Sequence, residues 1–188
     1  MTQPTTRDRM ISTAMRLFRR EGYTATSWRR LVEEAGTPWG SAYHHFPGGK
    51  EELGVAAIAL GTELVTGTIR RAFERHSDPA DAIRWWFGKA AAALEREDFR
   101  GGCPVATVAL EMAHGSDALT TACQEAFEAW RVVLTGFLRE RGFEAARANR
   151  LAMSVMNNLE GGLLACRVRR GTTPLERAAE DVAVLLGA

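Results

Sequence analysis

The sequence is poor in the residues that build sheets and in the patterns that carry catalysis. β-branched residues are sparse and no alternation of apolar and polar residues is sustained, which argues against strands. Cysteine is scarce. Cys103, Cys123 and Cys166 are odd in number, widely spaced and without a CxxC pair, so neither a disulfide framework nor a zinc site is suggested. No HExxH, nucleophile elbow or phosphate-binding loop occurs. His44 and His45 are adjacent, so on a helix they point about 100° apart and cannot share a metal. Cys103 precedes Pro104 at an expected helix start, where a dipole could lower a thiol pKa, but no base lies nearby in sequence. These absences argue against an enzyme, a metal centre and a cofactor. No uninterrupted apolar run approaches the ~18 residues that span a bilayer. The opening MTQPTTRDRM lacks the apolar stretch of a signal peptide. A cytoplasmic protein with no membrane partner is therefore expected.

What is present points to a helical globule. The chain has 188 residues, 46% of them apolar, enough for a helical body plus a small module. The net charge of +1 conceals an asymmetry. Residues 1–50 carry eight Lys/Arg against four Asp/Glu, and the remainder carries sixteen against nineteen. A basic N-terminal module on a slightly acidic body marks where a polyanion would bind, although charge alone fits a solvated helix face equally well.

Helical periodicity runs through the whole chain, and the fold class read from it is all-α with about nine helices. Ile11, Ala14, Met15, Leu17 and Phe18 form one stripe on a helix expected from Arg7 to Arg20, closed by Gly22. A second helix opens at Ser27, a good N-cap, buries Leu31, Val32 and Ala35, and stops at Gly36. Thr37-Pro38 reads as an N-cap followed by proline at the first helical position, opening a short helix to Phe46. Breaks at the following Gly, Pro, Ser and Asp clusters punctuate helices over 50–76, 80–97, 104–113, 116–141, 144–170 and 174–187. Without a flexible linker, the division expected is a small N-terminal module over 1–50 and a helical body over 51–188, joined by a continuous helix.

Two short helices joined by a tight Gly-containing turn are a helix-turn-helix signature, and a two-turn helix fits a major groove about 12 Å wide. On the second of them Trp39, Ser41, Tyr43, His44 and His45 offer flat or hydrogen-bonding groups. Gly40 permits close approach, and Ala42 and Phe46 form the inward face. Lys50 opens the next helix, where its ammonium and backbone N–H groups could hold a phosphate.

The stretch Arg7–Leu53, with its core EEAGTPWGSAYHHFPGGKEEL, closely resembles the tetracycline-repressor (TetR) family of bacterial regulators. The resemblance implies DNA-binding roles position by position. Ser27 matches the N-cap of the second helix, Trp28 a backbone-contacting position and Arg29 a base-contacting one. Thr37, Trp39, Ser41, Tyr43, His44 and His45 match the recognition helix, and Lys50 the phosphate-binding lysine. Two departures bear on which operator is read: Thr-Pro-Trp stands where Val-Ser-Lys or similar is commoner, and an extra glycine precedes Lys50.

Further on, GGCPVATVALE and LEGGLLACRVRRG resemble regulators of the LmrA/YxaF type, which implies a homodimer and a small-molecule effector. From the residues themselves, Leu151, Val155, Leu159 and Leu163 form a stripe on the helix over 144–170. Gly161 and Gly162 there cost about 1 kcal/mol each against Ala, which close helix approach would explain. With Val182 and Leu186 on the last helix they make the expected dimer seam, unless they only fill the monomer core. The expected effector pocket draws on Trp85, Trp86, Phe99, Met112, Phe127, Trp130, Met153, Met156 and Asn157, since aromatics with methionine suit a plastic apolar cavity and equally suit plain core. The reading is a ligand-responsive repressor binding a palindromic double-stranded operator. The alternative is an architectural DNA-binding protein or an activator without small-molecule control.

Overall fold

A computed structural model describes residues 4–187. Residues 1–3 and 188, the outer edges of the two expected domains, lie outside the described residues. Among the described residues there are nine α-helices and no strand: α1 Thr6–Glu21, α2 Trp28–Glu34, α3 Trp39–His45, α4 Gly49–Arg75, α5 Pro79–Arg96, α6 Ala106–Met112, α7 Asp117–Glu140, α8 Ala145–Arg169 and α9 Thr173–Gly187. Each matches an expected helix to within a few residues.

The packing does not divide at residue 50. One compact unit runs to Glu63 and adds Pro104–Ala126; the other takes Leu64–Cys103 and the chain from Phe127 on. The reason is that α4 is one uninterrupted helix, and that α6, far along the chain, packs on α1.

In the first unit, α1 is opened by a capping box in which Thr5 and Asp8 satisfy each other's backbone N–H groups. Its inward face of Met10, Ala14, Leu17 and Phe18 is buried, and α2 and α3 pack on α1, with Leu31, Val32 and Ala42 also buried. The start of α4 adds Leu53, Ala57 and Ile58 to the buried apolar residues.

In the second unit, α5, α8 and α9 pack on one another. Arg141 closes the end of α4: its guanidinium donates to the carbonyls of Phe73 (2.5 Å), His76 (3.3 Å) and Ser77 (3.1 Å), groups that a helix end otherwise leaves unpaired. The same guanidinium lies beside the stacked rings of Phe73 and Phe137, whose centroids are 5.0 Å apart.

By length and composition α4 is apolar enough to cross a bilayer, which the run-length reading missed because Glu63 interrupts the run. Helices that fill a soluble core meet the same criterion, and Leu53, Ile58, Ile69 and Phe73 of α4 are buried.

Candidate nucleic-acid interface

The site is built on α2, α3 and the start of α4. Ser27 caps α2 as expected, its Oγ accepting from the Arg30 N–H at 3.2 Å. After α2 the chain turns at Gly36, whose φ of 59° is left-handed and costs glycine nothing.

The restart of the helix differs from expectation. Pro38, not Thr37, occupies the N-cap position of α3, with extended ψ of 140° and no side-chain cap. Thr37 is buried: its N–H donates to the Val32 carbonyl at 3.1 Å and its hydroxyl points to the Ala35 carbonyl at 3.4 Å. Extended backbone before a proline is favoured sterically, but here the extended residue is the proline itself, so the helix begins one residue later. Thr37 therefore shapes the turn and presents almost no surface to a ligand.

The outward face of α3 is aromatic. Trp39 is 47% exposed and Tyr43 52%, with ring centroids 6.4 Å apart. Trp28, half-buried at the start of α2, brings its ring to 5.4 Å from Tyr43. The three rings form one ledge across two helices, with the buried Trp28 indole N–H unpaired. Ser41 and His45 are half-buried, His44 is exposed, and the two imidazoles meet edge-on at 5.4 Å. Ala42 and Phe46 are fully buried, as the inward face requires.

The cations at this surface are engaged. Arg29 is exposed and its Nε contacts Glu33 at 2.8 Å, a partner one helical turn on that the i,i+4 spacing could have flagged. That hydrogen bond and the charge of Glu33 hold the guanidinium more firmly protonated than usual. Arg30 pairs with Glu21 at 2.7 Å and Arg16 with Glu34 at 3.1 Å. Lys50 is the second residue of α4, whose first is Gly49. Its ammonium lies 4.1 Å from the centre of the Tyr23 ring. Burial pushes its pKa below the ordinary lysine range, and the nearby charge of Glu111 partly opposes that.

The residues expected to form the dimer seam lie elsewhere than foreseen. Leu151, Val155, Leu159, Leu163, Val182 and Leu186 are all buried within the single chain, where α8 packs on α9 and α5, so they offer a second copy almost nothing. The close approach inferred from the glycine pair is real but internal: a Cβ on Gly162 would lie 2.7 Å from the Leu175 side chain, whereas Gly161 faces open space. The outward stripe of α8 is instead Met153, Asn157, Gly161, Leu164 and Val168, the last two 60% and 79% exposed, joined on α9 by Val184 and Leu185. A groove of about 590 Å³ runs between the two helices, lined by Asn157, Gly161, Arg169, Thr173, Arg177 and Asp181 among others.

The expected effector residues are scattered. Met112 belongs to the first unit and the other eight to the second. In the second, Trp86, Trp130 and Met156 are buried, while Trp85, Phe99 and Phe127 are half-buried. Phe127 and Trp130 meet edge to face at 5.5 Å. Trp86 packs on its neighbour Phe87, and Trp85 on His76. Met153 and Asn157 are exposed on the outward stripe of α8 and leave the inward set for that reason.

Comparison with known proteins accounts for most of the chain. Residues 10–73 match the family model for bacterial regulatory proteins of the tetR family, and residues 79–181 that for the LmrA/YxaF-like C-terminal domain of transcriptional regulators. The HTH-type transcriptional regulator YxaF of Bacillus subtilis is 36% identical over 180 residues, covering 96% of this chain and 94% of the relative. LmrA of the same organism, also an HTH-type transcriptional regulator, is 33% identical over 175 residues, covering 93% of each. Among solved structures, a TetR transcriptional regulator from Legionella pneumophila superposes with a TM-score of 0.85 at 24% identity, covering 97% of each chain, which shows the shared fold. With a capped α2, a glycine turn and an exposed α3 at one end of the sequence and the LmrA/YxaF-like region at the other, the chain belongs to the TetR family of DNA-binding bacterial transcriptional regulators.

Proposed function

We propose that this regulator is a cytoplasmic, homodimeric repressor that grips a palindromic operator and releases it when a small, largely apolar effector binds. The observation that carries the reading is the outward face of α3. Its Trp39, Tyr43 and His44 are exposed and Ser41 half-buried, with Trp28 of α2 packed on Tyr43, on a helix only seven residues long that a major groove can admit. In this reading α3 reads bases with Arg29, Trp28 meets the backbone, and Lys50 holds a phosphate. Ser27 and Thr37 set the turn geometry, and His45 completes the polar rim.

A second copy is proposed to cover the outward stripe of α8 and α9. Met153, Leu164, Val168 and Val184 are exposed large apolar side chains that solvent accommodates poorly, and they are concentrated on these two helices. Two-fold symmetry suits a palindrome. The effector is proposed to bind in the second unit among Trp85, Trp86, Phe99, Phe127, Trp130 and Met156, whose aromatic and thioether surfaces suit an apolar ligand.

The test is a coupled binding measurement. Duplexes selected by the full-length protein from a random pool give the operator. Compounds that bind the protein are then titrated with and without saturating operator. Weaker effector binding in the presence of operator is the expected result. Equal affinity for every compound overturns ligand control and leaves an architectural protein, and selection of non-palindromic duplexes overturns the dimeric grip.

A further inference from the structure

The first unit contains a contact that the helix-turn-helix reading does not use. Glu111, near the end of α6, reaches back 87 residues to accept the backbone N–H of Thr24 on Oε2 at 2.6 Å. Gly22, with a left-handed φ of 91°, lies under the same carboxylate: a Cβ there would fall 2.0 Å from Glu111 Oε1. The carboxylate thus occupies the place of the side chain that Gly22 lacks. Tyr23, between these two residues, carries the Lys50 ammonium on its ring, and Glu111 is near enough to that ammonium to favour its charge. The loop after α6 makes a second tie to the start of α4, Ser116 Oγ donating to Glu51 Oε1 at 2.5 Å.

One carboxylate therefore touches the turn that leads into Ser27 and Trp28 and neighbours the lysine that opens α4. Its charge alone opposes a polyanion, so any help it gives DNA binding must come from geometry. We infer that Glu111 is a positioning residue for operator binding: it pins the Gly22–Thr24 turn and holds Tyr23 and Lys50 in the arrangement that grips phosphate. The inference rests on the reading of Lys50 as a phosphate contact.

The two effects of Glu111 separate by substitution. Glu111→Ala removes the acceptor, whereas Glu111→Gln keeps an oxygen for the Thr24 N–H and removes the charge. Full-length variants are titrated with the selected duplex at several salt concentrations. Glu111→Ala is expected to bind about fivefold more weakly, the effect of one net hydrogen bond. Glu111→Gln is expected to recover at least wild-type affinity. In a Lys50→Ala background the effect of Glu111→Ala shrinks, because part of it acts through the lysine. Wild-type affinity in Glu111→Ala, equal weakness in the Ala and Gln variants, or strict additivity with Lys50→Ala each overturns the assignment. Lys50→Ala alone keeps the two readings apart. If it binds like wild type, the phosphate role of Lys50 fails and this inference with it. If it is weakened while Glu111→Ala is not, only the Glu111 role fails.

Discussion

At the residue scale, Lys50 and Arg29 occupy different environments and predict different losses. Lys50 is half-buried over Tyr23 and is proposed to hold a phosphate, which carries no sequence information. Lys50→Ala is expected to weaken binding to all duplexes and to lower the salt slope by about one unit. Arg29 is exposed, and the Glu33 contact uses only Nε, leaving its terminal nitrogens open to a base edge. Arg29→Ala is expected to cost about 1–3 kcal/mol and to relax specificity at one base pair. Titrations of specific and random duplexes across salt separate the two patterns. Glu160 on α8 carries a different consequence. Burial pushes its carboxyl above the ordinary range, opposed by a hydrogen bond with Cys103. The native state then keeps this proton to higher pH than the unfolded chain, so the group lowers stability as pH rises from about 4. Glu160→Gln, neutral throughout, should gain on wild type over that rise. Urea unfolding of both proteins from acid to neutral pH checks this, and parallel curves would show that the carboxyl is not penalised by burial.

At the element scale, α8 shows why an apolar stripe is an ambiguous signal. Leu159 and Leu164 differ by five positions and face opposite ways: one is 7% exposed and the other 60%. A charge at Leu159 would be buried without a counter-ion, costing several kcal/mol, so Leu159→Glu should fail to fold. A charge at Leu164 enters water in the single chain and meets a partner only in the proposed dimer. Leu164→Glu should therefore give a folded monomer by sedimentation, with wild-type helix content. A Leu164→Glu dimer of wild-type stability would move the seam off this face. The glycine pair on α8 resolves in the same way. Gly162 is required by Leu175 of the same chain, while Gly161 lies on the outward stripe and lines the groove beside α9.

At the scale of the whole molecule, α4 is common to both units: its 27 residues make it about 40 Å long at 1.5 Å per residue. Two recognition helices of a dimer must stand about 34–36 Å apart to enter successive major grooves. A change of a few ångströms in that spacing would break the fit. An effector can cause it only through its own preference for the released form. A coupling of about 1–3 kcal/mol corresponds to a 5–150-fold loss of operator affinity, and operator must weaken effector binding by the same factor. That reciprocity is the magnitude the coupled titration should return.

The sequence by itself determined what depends on local chemistry. The helices follow from periodicity and from caps such as Ser27 and Gly36, whose effects act within one turn of the chain. The family followed from the contiguous motif around GTPWGSAYHHF, because a groove-reading helix needs its residues within two turns. Tertiary structure decided what depends on which side of a helix meets a neighbour. It buried Thr37, whose pattern matched an exposed cap, and turned Leu151, Val155, Leu159 and Leu163 inward. It split the chain inside α4 and carried Glu111 across 87 residues to Thr24. An amphipathic pattern states that a face is buried but not against what, and a hydrogen bond between distant segments leaves no spacing for a sequence to display.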